Sequence, residues 1–299
     1  MSTGSAKRRW LIPVCLLLCA LLVAGCVFTV KRLLAGRKET ETAAMPASGA
    51  LEIYMLDVGQ GEAVLALYPE GTVLLMDCGP EQAAKSTLNT LRGLGITRID
   101  TLLISHSHSD HTGALSYLLK RMPVGEVLLA GHAAYYASVT AVLDKKHVRY
   151  RYVTAGDALP GSASVTAELF NPPAMTGAAD ENDLSAVVKL TCGRTSVLFM
   201  GDASYEAESR MLALYARQRL RSDVLLVGHH GASTASSLSF LKAVSPSVAC
   251  ISVGADNEYG HPHESTLSRL RSVGAAVHTT AREGTLHLRL DGSSVKVIK

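Results

Sequence analysis

Residues His106, His108, Asp110 and His111 place four potential metal ligands within six positions, directly after the apolar run Ile99–Ile104. That run reads as a buried strand, and its end leaves backbone polar groups free. A loop there can aim alternate side chains into one cavity. No other feature constrains the fold as much, because whatever completes a cation's shell must come from other segments folded to the same strand end. Imidazole nitrogens together with a carboxylate suit zinc, manganese or iron. The plainer alternative is a polar loop whose histidines cap a helix from Thr112 onward. Three histidines and an aspartate at this spacing favour the metal.

The surrounding pattern gives an α/β fold. Apolar strands are predicted at 51–58, 63–68 and 72–77, then a helix over 81–93 ended by Gly93 and Gly95. Strand 99–104 leads through the histidine loop to a helix near 113–121, and strand 126–130, helix 134–146 and strand 148–153 follow. The second half repeats the theme, with strands at 164–170, 184–191, 195–200, 223–228 and 248–253 and helices at 204–219, 236–243 and 264–273. Short strands at 276–280, 284–290 and 294–298 finish the chain. Apolar strands alternating with helices imply sheets covered by helices.

Ahead of this lies a different kind of segment. From Leu11 to Val30 the chain is almost without polar side chains, between Lys7, Arg8 and Arg9 on one side and Lys31 and Arg32 on the other. Twenty such residues rise about 30 Å as a helix, enough to cross a bilayer. Residues 1–32 are therefore expected to be a transmembrane anchor or signal segment, 33–49 a linker and 50–299 the globular domain. Val23-Ala24-Gly25-Cys26 allows a lipoprotein signal instead, but Val27–Val30 prolongs the apolar run past Cys26, which favours a single-pass anchor. The simplest arrangement is a membrane-anchored chain with its domain outside the cytoplasm, although basic residues on both flanks orient the anchor only weakly.

The net charge of +3 divides unevenly: residues 1–47 hold seven basic and two acidic side chains (+5), and the remainder holds 22 basic and 24 acidic (−2). The basic balance thus belongs to the membrane-flanking segment and does not mark a nucleic-acid groove. Cys78, Cys192 and Cys250 fall in or beside predicted strands with no Cys-x-x-Cys pair. An odd number, they are expected as buried free thiols and not as ligands.

The order His-x-His-x-Asp-His resembles the signature of the metallo-β-lactamase superfamily of binuclear metallohydrolases. The resemblance implies a four-layer αβ/βα sandwich and two divalent metal ions, zinc or manganese, sharing a bridging hydroxide. It implies that Asp202, after Gly201 at the end of a strand, bridges the ions; a helix N-cap is the other reading of Asp202. It also implies that His230, before Gly231, is the last ligand. Asp110, His111 and His230 would then hold one ion, His106 and His108 the other, with Asp110 and Asp202 the catalytic carboxylates. A third histidine expected for the first ion is missing: Asn182 stands near its place, and His132 and His147 come too early. An amide oxygen is a weaker ligand, so the Asn182 site would bind loosely or favour a harder ion. Metal-bound histidines usually donate their second nitrogen to a carboxylate or carbonyl, and Asp77, Asp57 and the neighbouring His229 are the candidates to orient ligands.

Four further stretches narrow the resemblance: Leu56-Asp-Val-Gly-Gln-Gly-Glu-Ala63, Asn182-Asp-Leu-Ser185, Gly228-His-His-Gly231 and Asn257-Glu-Tyr-Gly-His-Pro262. Together they resemble the hydrolase domain of ComEC-type competence channels and its stand-alone relatives, with Glu62 and Ala232 as departures from the usual aspartate and serine. The implied function is a phosphodiesterase or nuclease whose partner is DNA or another phosphodiester, with Ser185, Ser233, His261 and His263 as candidates for phosphate contacts. Hydrolysis of a small ester, lactam or nucleotide is an alternative, since the domain is slightly acidic and aromatics are only 5% of the chain. A non-catalytic surface module is a third, opposed by the intact ligand set.

Overall fold

Among the described residues, fourteen short strands, most of them apolar and buried, assemble into two sheets. The first is eight-stranded in the order β14-β13-β1-β2-β3-β4-β5-β6. Its members are β1 (Leu51–Met55), β2 (Val64–Leu67), β3 (Val73–Met76), β4 (Ile99–Ile104), β5 (Val124–Ala130), β6 (Tyr150–Val153), β13 (Leu286–Leu290) and β14 (Val295–Ile298). The second is six-stranded in the order β12-β11-β10-β9-β8-β7. It comprises β7 (Val165–Asn171), β8 (Val187–Cys192), β9 (Thr195–Phe199), β10 (Val224–Leu226), β11 (Val248–Ile251) and β12 (Ala276–Thr279). This computed structural model describes residues 49–174 and 180–298, within one unit running Met45–Lys299. The expected membrane segment 1–32, and all of the linker but Gly49, lie outside the described residues. Among the described residues, no helix is long and apolar enough to cross a membrane.

Side-chain alternation along the strands decides the layering. Leu51, Ile53 and Met55 of β1 and Val197 and Phe199 of β9 point to a core shared by both sheets. The opposite faces are apolar as well. Leu65, Leu102 and Ile104 pack under helices α1 (Ala84–Gly93), α3 (Leu115–Leu119) and α4 (Ala137–Lys145), while the short α2 (Ser109–Thr112) carries Asp110 and His111. Leu198, Leu225 and Ala249 pack under α5 (Tyr205–Leu214), α6 (Arg217–Leu220), α7 (Leu238–Val244) and α8 (Glu264–Ser272), and α9 (Thr280–Glu283) follows β12. Sheets apolar on both faces must be covered twice, and the result is the expected four-layer αβ/βα sandwich.

Two details differ from the pattern read in the sequence. The single helix expected over 204–219 is two, because Tyr215 leaves helical geometry (φ −119°, ψ 140°). Its ring packs edge-on against Phe170 at 4.9 Å, and its hydroxyl donates to the Phe170 carbonyl at 3.1 Å. The terminal hairpin β13–β14 joins the first sheet, pairing antiparallel to β1 through Leu51↔Leu290 and Ile53↔Leu288. Strands β3 to β6 run parallel, as do β9 to β12. Their carboxyl ends carry Asp77, the 105–111 loop, Asp202, His229–His230 and Ser252, which gathers the candidate ligands at one end of the sandwich, where open α/β sheets bind ligands.

Candidate metal centre

Asp77 organises the first half of the site. It follows β3 in a left-handed conformation (φ 56°), which a short polar residue tolerates, and its carboxylate is fully buried. It accepts the Ser105 amide at 2.7 Å, the Ser105 hydroxyl at 2.6 Å and His111 Nδ1 at 2.7 Å. The Ser105 hydroxyl, having donated to Asp77, faces His106 Nδ1 at 3.0 Å as an acceptor. One carboxylate therefore places the proton of both His106 and His111 on Nδ1. Each Nε2 is the nitrogen that faces inward, and it ligates a cation once it carries no proton.

Asp202 supplies the second half. Gly201 precedes it at φ 50°, and a Cβ there would lie 3.0 Å from the side chains of Ser105 and Ser185. Only glycine lets β9 deliver Asp202 so close to the β4 loop. The Asp202 carboxylate sits among four imidazoles: Oδ1 is 3.2 Å from His111 Nε2 and 3.6 Å from His230 Nε2, and Oδ2 is 3.9 Å from His106 Nε2 and 3.8 Å from His229 Nε2. Asp110 Oδ2 lies 3.2 Å from His230 Nε2 and 3.7 Å from His111 Nε2. His230 in turn donates from Nδ1 to the Ser252 carbonyl at 2.9 Å. His229 and His230 both adopt left-handed geometry (φ 50° and 52°), a turn costing about 1–2 kcal/mol per residue that sets the two rings on opposite sides of Asp202.

This arrangement fits divalent cations. Asp110, His111, Asp202 and His230 each offer a ligand atom within 4.8 Å of one another. His111 Nε2 and Asp202 Oδ1 are buried and have no hydrogen-bond partner despite their proximity, the state of ligand atoms awaiting a cation. Charge agrees. Burial works to raise the Asp110 carboxyl, but the His230 hydrogen bond and the charge of His111 hold it at about 2. Burial likewise opposes ionisation of Asp202, yet His111 and His230 keep it well below the ordinary carboxylate range. Burial and the neighbouring His111 keep His106 neutral.

The remaining predicted residues fall into three groups. His106 Nε2, on the Oδ2 side of Asp202, meets His108 Nδ1 at 3.0 Å, while His108 Nε2 lies 3.9 Å from Glu181 Oε2. Asn182 lies in the short turn Glu181–Leu184, with its Oδ1 buried and unpartnered. His261 and His263 form a rim: the His261 ring is 5.8 Å from His229, 6.3 Å from His230 and 5.1 Å from His263. Ser233 is exposed on the loop beyond Gly231.

Two expectations are corrected by burial and exposure. Ser185, a candidate for phosphate contact, is wholly buried; its hydroxyl accepts the Asp202 amide at 3.1 Å and lies 3.3 Å from His106 Nδ1, so it fixes ligands instead. Asp57, a candidate to orient a histidine, is exposed and accepts the Gly59 amide at 3.2 Å, touching none of these imidazoles. Two participants were missed. Glu181 accepts the Ser107 amide at 2.8 Å and also binds the Ser107 hydroxyl, bracing the histidine loop. Glu62 is buried within ligand distance of Asp77 and His111, and burial first of all pushes its carboxyl up to about 8. Its place in the 56–63 motif was the available signal.

The model of the metallo-beta-lactamase superfamily matches residues 56–255. The "Competence protein ComA" of Neisseria gonorrhoeae is 32% identical over 265 residues, covering 88% of this chain and 36% of that protein. The "ComE operon protein 3" of Bacillus subtilis is 27% identical over 258 residues, covering 80% and 33%. The chain thus spans about a third of the length of these curated relatives. Among solved structures, a mutant of CmlA beta-hydroxylase superposes with a TM-score of 0.53 at 18% identity, over 81% of this chain and 54% of that one, a likeness of fold alone.

Proposed function

The chain belongs to the metallo-β-lactamase superfamily, and on that premise we propose that it is a metal-dependent phosphodiesterase, a nuclease acting on DNA or a related phosphodiester. The observation that carries the reading is the position of Asp202. Its two oxygens divide the ligands, with His111 and His230 by Oδ1 and Asp110 beside both, and His106 by Oδ2. This is the division a carboxylate shared between two cations requires. Similarity to competence proteins supports a DNA-related substrate.

Two divalent ions, zinc or manganese, would supply Lewis acidity and bring a water's pKa to about 7. The protein's own part is charge and orientation. Asp110 and Asp202 remain anionic, which concentrates cations. Asp77 and the Ser252 carbonyl fix the imidazole tautomers, and Asn182 is the candidate for the open place beside His106 and His108. His229, His261 and His263 lie at the mouth, where N–H donors can meet phosphoryl oxygens. Residues 1–32 are proposed to anchor the domain on the outer face of the cytoplasmic membrane. Resistance of the domain to protease added to spheroplasts would overturn that placement.

The test is cleavage of DNA by the full chain supplied with zinc or manganese, compared with Asp110→Ala. The variant is expected to lose about a hundredfold or more of the activity, with loss of bound metal by elemental analysis. Undiminished cleavage would refute the ligand set. Rates that fall steeply with added salt support a polyanion, whereas salt-indifferent rates would point to a small ester, lactam or nucleotide.

A further inference from the structure

Beyond His261, away from the ligands, lies a cavity of about 430 Å³. This is within the roughly 300–1,000 Å³ typical of small-molecule sites. Its walls combine three chemistries. Leu267 from α8 and Val277 from β12 give an apolar face. Arg271 and Arg282 stand at the edge, both exposed. Thr279 also lines it, from β12.

We propose that this cavity is a nucleotide subsite, holding the nucleotide next to the scissile phosphodiester with its base against Leu267 and Val277 and its outer phosphate on Arg282 and Arg271. The proposal rests on the phosphodiesterase reading and extends it to how a strand is held. His261 links the cavity to the ligand cluster. It lines the cavity, and its ring also neighbours those of His229 and His230. A substrate reaching the ligands therefore passes the cavity's mouth. The two guanidiniums can bind phosphate bidentately. Arg271 is paired with Glu264 at 2.7 Å, but both partners are exposed, so the pair yields readily to a phosphate. Glu283 beside Arg282 is occupied by His278 at 3.0 Å.

The test needs no catalysis. Thymidine 3′,5′-bisphosphate is titrated calorimetrically into the full chain with metals removed by chelation, since no cavity residue is a proposed metal ligand. Arg282→Ala and Arg271→Ala should each weaken binding about tenfold or more. Thymidine 5′-monophosphate should lose less on the same substitutions than the bisphosphate. Arg271 and Arg282 are exposed, and unchanged melting temperatures establish that their variants are folded. No binding by the parent chain, or equal binding by Arg282→Ala and the parent, overturns the subsite. Binding that depends on both arginines in a chain that cleaves no DNA with metal restored overturns the nuclease reading and leaves the subsite standing.

Discussion

Replacing Asp77 by Asn tests whether one buried carboxylate sets the protonation of two ligands. Asparagine tolerates the left-handed backbone (φ 56°) and keeps the side-chain shape, so the change is in polarity alone. Its Oδ1 can still accept the Ser105 amide. Its NH2 must then face the Ser105 hydroxyl and His111 Nδ1, both of which donate to Asp77 in the parent. His111 can accept only by moving its proton to Nε2, which turns an N–H toward Asp202 and any cation there. The Ser105 hydroxyl loses its acceptor, so His106 loses its fixed tautomer too. Substitution of such an orienting group costs about 10–100-fold in metal affinity, roughly 1.4–2.7 kcal/mol. A buried hydrogen bond to a charge adds about 1.5–3 kcal/mol to the loss of metal-free stability. Competition with a chromophoric chelator measures the first and urea unfolding in chelator the second. Parent-like metal affinity in a folded Asp77→Asn protein would refute the tautomer argument.

Gly201→Ala should cost about 2–5 kcal/mol, combining a left-handed alanine with overpacking against Ser105 and Ser185; urea unfolding near the parent midpoint would contradict the close approach. Metal binding should strengthen with pH. Burial opposes a proton on His111, but Asp202 and Asp77 outweigh it and raise the group well above its ordinary value. A cation must therefore displace that proton, and affinity should rise about tenfold per pH unit for each proton released, levelling once pH exceeds the raised value. Flat chelator-competition curves between acid and neutral pH would deny the displacement. Burial pushes the Cys250 thiol up to about 12 and raises Cys78 further. These two, with buried Cys192, should resist an aqueous thiol reagent at mildly alkaline pH until urea is added, read by mass spectrometry; labelling of the native domain would show the strands open.

Much of this was legible because strands buried on both faces announce themselves as continuous apolar runs. Ile99–Ile104 matches β4 in full, and Thr195–Phe199 falls within one residue of its expected end. Asp77 could be named because it ends such a run in a turn. What escaped depends on contacts distant in sequence. Nothing around Tyr215 breaks helical periodicity; its departure follows from meeting Phe170. Ser185 was given the wrong face because a serine in a polar stretch carries no sign of burial, and Gly201 brings β9 down upon it. Glu62 reads only as a departure within its motif, and Glu181 as an ordinary acidic loop residue, until the fold places them against His111 and Ser107.

The pairing of β1 with β13 bears on how such a domain is made. As the chain leaves the ribosome, Leu51–Met55 emerges among the first ordered segments of the domain, yet its partner Leu286–Leu290 arrives near the far end. Until then one side of β1 offers open backbone groups to any passing strand, the kind of edge that seeds aggregation. Expression yield should therefore depend strongly on synthesis speed and chaperone supply, and truncations that remove the final hairpin should precipitate even though every metal ligand remains.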